Sequence, residues 1–371
     1  MEADTLISRQ FWESGLAVLM GETAPPPRDI PGLVYFRTSG STGEPKWIGL
    51  SRAALQASAE AVNNHLAVDR ASCWVLTLPL YHVGGFGVAA RTWQAGCRMI
   101  RSEGKWNPVS FTSWLGEGGS THLSLVPAQV HDLVTAGLRA PASLRAVVVG
   151  GGILPEATGR AARDLGWPVL ASYGMTEAGS QIATQRLELL DETYVREPMD
   201  LLSCWEARTE DSGRIELRGP ALFSGTLRRE GDRWKYEERS GDWFATSDSG
   251  IIEGAQIRVT GRADARVKIL GELVDPLAVE AEILALSEGR IGPGDAVVVP
   301  VGDARSEHKL VLIHHRAADA AVLEEIVAAY HARCPGFRRI ARVTLLEEIP
   351  RSPLGKPLRT VLSRIAADEG I

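Results

Sequence analysis

Apolar residues in this chain fall into short runs punctuated by proline or glycine, and the spacing within each run predicts its element. Trp74 to Leu78, Leu123 to Val126 and Ala146 to Val149 are dense apolar stretches that stop at Pro79, Pro127 and Gly150-Gly151-Gly152. Runs of that length bounded by turn formers read as buried strands. Leu55, Ala59 and Val62 recur at helical spacing behind Ser51, whose hydroxyl can cap first-turn amides, so a helix is predicted from Ser51 to Leu66. A second helix is predicted from Pro155 to Leu165, and a short one over residues 11 to 20. Pro25-Pro26-Pro27 separates that short helix from a strand over Gly32 to Phe36. Strands that end in Pro or Gly and lead into helices belong to α/β layers, with ligands gathered at the strand ends.

From about Ser212 the pattern changes. Arg214 to Arg218 alternates, Arg233 to Arg239 is polar with Trp234 and Tyr236 on one face, and Ile251 to Val259 predicts a hairpin through Glu253-Gly254-Ala255. A small antiparallel region is therefore expected here. Beyond Gly261 a compact α/β unit is predicted: strand Val267 to Leu270, helix Leu277 to Leu286, strands Ala296 to Val301 and Lys309 to Ile313, helix Asp319 to Tyr330 and strand Arg342 to Leu346. A chain of 371 residues is too long for one comfortable core. The expected fold is α/β, with a large N-terminal unit over residues 1–262 and a smaller, mobile α/β unit over 263–371.

Charge and composition narrow the partners. A net charge of -6 with pI near 5.8 provides no global attraction to nucleic acid or anionic lipid. Cys73, Cys97, Cys204 and Cys334 are far apart with no C-x-x-C pair, as expected for buried thiols in a reducing compartment. The first residues lack the basic and apolar regions of a signal peptide, and no run of apolar residues is long enough to span a membrane. A cytoplasmic protein without membrane insertion is expected.

The candidate chemistry begins at Thr38-Ser39-Gly40-Ser41-Thr42-Gly43-Glu44-Pro45-Lys46, which packs glycines, hydroxyls and one lysine behind an apolar strand. Glycines let backbone amides converge on an anion, Thr and Ser add donors, and Lys adds charge, so the segment suits phosphate oxygens. It is not a Walker loop, because Glu44 and Pro45 separate Gly43 from Lys46 and Trp47 follows. Ser172-Tyr173-Gly174-Met175-Thr176-Glu177 offers an aromatic face for a base, a hydroxyl for phosphate and a carboxylate for Mg²⁺, or simply a strand end with a turn. In Gly241 to Gly250, Asp248 is expected in a turn between strands, either closing an Asx-turn or accepting ribose hydroxyls. Gly261-Arg262-Ala263-Asp264 is either a charged linker or a clamp and hinge. Lys356, between turn formers in Ser352 to Arg359, is either solvated or brought by domain closure to a reacting phosphate.

In their order, TSGSTGEPK, LPLYHVGG, SYGMTE, GDWFATSD, GRADARVKILGE and SPLGKPLR resemble the adenylate-forming superfamily of acyl-CoA ligases, aryl-CoA ligases and nonribosomal adenylation domains, from about Gly32 to Arg359. The resemblance implies ATP, Mg²⁺ and CoA as cofactor and cosubstrates. It assigns Thr38 to Lys46, including Ser39, Gly40, Ser41, Thr42 and Gly43, to the phosphate loop, and places Gly151 and Tyr173 against the nucleotide. Thr176 and Glu177 are assigned to phosphate and magnesium, Asp248 to ribose, Arg262 to a nucleotide clamp, Asp264 to a hinge and Lys356 to adenylation. His82 matches a position lining the acyl pocket or thiol entrance, although a lone histidine before Gly84-Gly85 can equally be structural. The implied chemistry is attack of a carboxylate on the α-phosphorus of ATP, then transfer of the acyl group to a thiol after rotation about Asp264.

Within that superfamily, Tyr173 to Thr184 resembles the YGMTE-x-x-SQI-x-T pattern of the ligases that act on o-succinylbenzoate in menaquinone synthesis. The acid is then a dianionic aromatic keto acid. Ser180, Gln181 and Thr184 offer it neutral hydrogen bonds, and Gly150 and Gly152 leave room for a flat ring. Ser180 and Gln181 can also be read as solvated helix or loop residues. The pattern departs from the family at Ser247, where glycine is usual before the ribose aspartate, and at Lys268 to Pro276, which lacks the usual SGGE-type centre. The phosphate loop also follows Met1 closely, so a homodimer is expected to cover the face left by a shortened first subdomain. Another aryl or acyl acid ligase, an enzyme loading a carrier-protein thiol, and a noncatalytic nucleotide-binding protein stand as alternatives.

Overall fold

The computed structural model describes residues 3–22, 26–27, 29–39, 45–102, 104–231, 233–262, 266–315, 319–352 and 355–368, without the side chains of Ser39 and Pro45. Gly40, Ser41, Thr42, Gly43 and the hinge candidate Asp264 lie outside the described residues.

Five parallel strands form one side of an eleven-stranded sheet: Arg98–Arg101, Cys73–Leu76, His122–Leu125, Ala146–Val149 and Val169–Met175, in that spatial order. All four residues of Cys73–Leu76, His122–Leu125 and Ala146–Val149 are buried, as the apolar runs require when helices cover both faces. Beyond Val169–Met175 the same sheet turns antiparallel through Ser180–Thr184, Met199–Leu201, Gln256–Arg262, Phe244–Glu253, Arg214–Arg218 and Glu206–Thr209. A second, five-stranded sheet places Val34–Ser39 beside Pro45–Leu50 and continues through Gly225–Glu230 to Arg233–Glu238.

The predicted helices at Ser51 and Pro155 form over Arg52–His65 and Glu156–Asp164, and Ser51 accepts the Ala54 amide as cap. The helix expected over 11 to 20 is displaced. Ser8 caps a short helix at Arg9–Glu13, and Val18–Leu19 instead pairs in parallel with Val34–Tyr35. Asp248 also departs from expectation: it lies inside Phe244–Glu253, opposite Arg262. The polar Thr-Ser-Asp-Ser run reads locally as a turn, but Asp248 pairs with Arg262, and Ser249 with both Gly261 and Arg214, which holds the run within the strand.

The C-terminal unit is a three-stranded sheet of Ala296–Asp303, Glu307–His315 and Ile340–Leu346. Strand alternation divides its core. Val298, Leu310 and Leu312 pack with Val279, Ile283, Leu323 and Ile326 of the helices Pro276–Leu286 and Ala320–His331. Val297, Val299, Val311 and Ile313 face Leu362 and Ala366 of a helix at Arg359–Asp368. Among the described residues, this core and the apolar clusters of the large unit share none. Among the described residues, no helix is long and apolar enough to cross a membrane.

Candidate active site

The carboxyl ends of the parallel strands open onto one cleft. His82 follows Cys73–Leu76 and stands at the N-terminus of helix Val83–Ala95, Gly150 to Gly152 follow Ala146–Val149, and Thr176 and Glu177 form a 3₁₀ turn after Val169–Met175. Lys356 reaches this cleft from the C-terminal unit. A Cβ added at Gly151 would lie 3.4 Å from Lys356 Cε and 3.8 Å from Nζ, so the lysine fills the space beside that glycine. Lys356 is exposed as a residue, while the atoms packed near its ammonium, Gly151 among them, partly desolvate it. That desolvation, together with Arg262, lowers its pKa against the opposing pull of Asp248. Desolvation foremost, and then Lys356, also lower the pKa of His82, whose Nε2 is buried without a hydrogen-bond partner.

Tyr173 donates its hydroxyl to Asp248 Oδ2 at 2.7 Å, and Arg262 Nε stands 3.9 Å from Oδ1. Burial, followed by the Asp248 charge, holds the Tyr173 hydroxyl well above its ordinary pKa, so it remains a donor. The Asp248 amide in turn donates to Thr246 Oγ1 at 3.1 Å. On the phosphate-loop side, Lys46 Nζ lies 3.2 Å from Glu177 Oε1, and Thr38 donates to the Lys46 carbonyl oxygen at 3.3 Å. Strand pairing of Thr38 with Lys46 returns the chain, placing the lysine over the 3₁₀ turn.

Ser180, Gln181 and Thr184 form a buried strand instead of a solvated helix or loop. Thr184 donates to Gln181 Oε1 at 2.5 Å, and a Cβ at Gly174 would lie 1.6 Å from the Ser180 carbonyl oxygen, so only glycine permits this register. Ser180 itself sits at φ 114, a strained conformation for a residue with a side chain. Its Oγ accepts from Arg91 Nη2 at 2.9 Å.

Arg91 is a residue the motif reading did not select. It is 2% exposed on helix Val83–Ala95, lies over the Trp74 ring at 5.2 Å, and has a buried Nη1 with no hydrogen-bond partner. No carboxylate pairs with it among the described residues, and desolvation brings its pKa down to about 9, which leaves it charged at neutral pH. A buried cation without a counter-charge is costly to a fold and is a mark of a ligand site. The available sequence signal was a single charge inside the uncharged run Val83 to Ala95.

The family described as AMP-binding enzyme matches residues 4–225, more than half of the chain. This chain belongs to that family. The chain is also similar to the 2-succinylbenzoate–CoA ligases of Enterococcus faecalis and Geobacillus kaustophilus. Identities are 26% over 342 residues and 29% over 352, covering 88% and 91% of this chain and 68% and 69% of those proteins. A solved structure of an E. coli MenE variant with bound OSB-AMS matches with a TM-score of 0.71 at 26% identity, covering 90% of this chain and 69% of that one. Within that family frame, Arg91 is a buried cation held between helix Val83–Ala95 and Ser180.

Proposed function

We propose that this AMP-binding enzyme activates o-succinylbenzoate with ATP, forming an acyl-adenylate and pyrophosphate, and transfers the acyl group to CoA with release of AMP. The observation that carries the reading is the convergence of Lys356 from the C-terminal unit with Gly151, His82, Asp248 and Arg262 of the large unit. A lysine held beside the phosphate path offsets repulsion between the incoming carboxylate and the α-phosphate, and stabilises charge as the new bond forms. Asp248, oriented by Tyr173, accepts ribose hydroxyls, and Thr38 to Lys46 supports the outer phosphates. The neutral His82 ring lines the acyl end of the cleft.

Mg²⁺ suits the residues present. Among the described residues, no group of three or more His, Cys, Asp or Glu could hold a metal ion, whereas Glu177 provides one carboxylate beside the Thr176 hydroxyl. One carboxylate with substrate phosphates and water is the usual magnesium environment. When bound, the ion neutralises phosphate charge.

The acid has two carboxylates, and only one is activated. Arg91, with its unpartnered Nη1, supplies the counter-charge for the other, while Ser180 fixes the guanidinium. Gln181 and Thr184 brace the wall behind them, and Gly150 and Gly152 leave the ring its space. For thioester formation the C-terminal unit, assigned to 263–371, rotates about Asp264 relative to 1–262, withdrawing Lys356 and admitting the thiol. The protein is further assigned to the cytoplasm as a homodimer without nucleic-acid or membrane partners, which sedimentation and cell fractionation test.

Pyrophosphate release across a panel of carboxylic acids, with and without CoA, tests the whole reading. Release with o-succinylbenzoate and acylation of CoA are expected. Release without CoA acylation would transfer the reading to a carrier-protein acceptor, and no release with any acid would end the enzyme reading.

A further inference from the structure

The loop carrying Lys356 is held from behind by a cluster that takes no part in the roles above. Arg351 donates from Nη1 to the Gly355 carbonyl oxygen at 3.0 Å and from Nη2 to the Gly294 carbonyl oxygen at 2.8 Å. Its Nη2 also lies 3.1 Å from Asp295 Oδ1. Gly355 immediately precedes Lys356, so the guanidinium pins the peptide group that starts the lysine residue. The turn is closed further by the Ser352 amide donating to the Lys356 carbonyl oxygen at 2.7 Å, and by the Lys356 amide donating to Ser352 Oγ at 3.2 Å.

The opposite side of the cluster faces the large unit. A cavity of about 220 Å³ is lined by Ala128, His131 and Asp132 of helix Pro127–Thr135, and by Gly292, Asp295 and Arg351 of the C-terminal unit. A Cβ at Gly292 would meet Asp295 Oδ2 at 2.5 Å and His131 Cε1 at 3.1 Å, so the two units approach closely here. Gly294 has φ +82, and a Cβ there would lie 2.6 Å from Arg351 Nη1. The segment Gly292-Pro293-Gly294-Asp295 is thus shaped around the arginine.

We propose that Arg351 is a positioning residue for Lys356, acting through the Gly355 carbonyl, with Asp295 orienting the guanidinium. The proposal rests on the reading of Lys356 as the adenylation lysine. Lysine reaches its target through four rotatable bonds, so backbone anchoring is what restricts where its ammonium stands. A displacement of about 1 Å at a reacting centre costs on the order of 10²-fold in rate. Because Lys356 serves only acyl-adenylate formation, loss of the anchor is selective for that half-reaction.

The test uses the full chain in two assays: pyrophosphate release from ATP and o-succinylbenzoate, and thioester formation from supplied acyl-adenylate and CoA. Arg351→Met is expected to slow the first by about 10- to 100-fold, mainly in kcat with KM little changed, and to spare the second. Asp295→Asn, nearly identical in shape, is expected to show a weaker loss of the same selectivity. Arg351→Lys is expected to recover part of the rate, since an ammonium can meet one carbonyl but not reproduce the planar fork. Wild-type pyrophosphate release by Arg351→Met would overturn the proposal, as would equal loss of both half-reactions in Asp295→Asn and Arg351→Lys. Lys356→Ala in the same assays separates the two levels: if it too lacks selectivity, the reading of Lys356 falls, whereas a selective Lys356→Ala beside a non-selective arginine series rejects positioning alone.

Discussion

Replacing Arg91 by methionine removes a buried charge while retaining most of the side chain's apolar volume. Among the described residues the guanidinium has one hydrogen bond, to Ser180 at 2.9 Å, and a contact with the Trp74 ring, but its Nη1 is buried without a partner. If that nitrogen and its charge meet the second carboxylate of the acid, truncation costs about 2–5 kcal/mol of binding. This corresponds to about 30-fold to several-thousand-fold in kcat/KM for the dianionic acid. The analogue lacking the ring carboxylate has nothing to lose, so Arg91→Met is expected to leave its kcat/KM nearly unchanged. Folding responds differently. Methionine removes the cost of burying an unpaired charge, and that gain opposes the lost Ser180 bond and ring contact, so the melting temperature is expected to change little or to rise. The assay is pyrophosphate release with the two acids in parallel, accompanied by thermal unfolding. Equal loss with both acids, together with a melting temperature lowered by several degrees, would refute the reasoning and make Arg91 a structural prop of helix Val83–Ala95.

Three further outcomes follow from the same geometry. Lys356→Ala is expected to slow acyl-adenylate formation by about 10²- to 10³-fold while sparing thioester formation from supplied acyl-adenylate, and equal loss of both would exclude rotation about Asp264. Because desolvation and Arg262 lower the Lys356 pKa, its charge is lost as pH rises through a value below that of an ordinary lysine. The kcat/KM profile for adenylation should therefore decline on the alkaline side below about pH 10.4. Arg262→Met should move that limb upward and Asp248→Asn should move it downward; opposite shifts would contradict the assignment. Tyr173→Phe removes the donor that orients Asp248. A loss of about 1.5–3 kcal/mol in a hydrogen bond to a charged group, appearing mainly as a higher KM for ATP, is expected. An unchanged KM would place Asp248 outside nucleotide binding.

Much of the large unit and of the layout of its candidate site was legible along the chain. The Ser51 cap, the apolar runs that end at Pro79, Pro127 and Gly150, and the valine-rich strand at Ala296 all report local preferences, which depend on neighbours a few residues away. Motif order likewise placed His82, Gly151, Thr176 and Lys356 at strand ends or loops, because chain reversals beside a parallel sheet occur there. Thr246, Ser247 and Asp248 are all turn formers and predict a turn, whereas the pairing of Asp248 with Arg262 and of Ser249 with both neighbouring strands keeps the run in the sheet. Ser180 and Gln181 carried no local sign of burial. Their register depends on a close approach to Gly174 that two antiparallel strands create.

By itself, the sequence determined most of the element types, the α/β class and the order of a large unit followed by a smaller one, because these follow from periodicity and turn chemistry over short spans. Tertiary structure decided which charges meet. Lys46 and Glu177 are 131 positions apart, Tyr173 and Asp248 are 75 apart, and both pairs depend on sheet topology. The isolation of Arg91 and the clamp of Arg351 on Gly355 belong to the same category. Burial and the absence of a counter-charge are properties of everything packed around a side chain, and no local stretch of sequence encodes them.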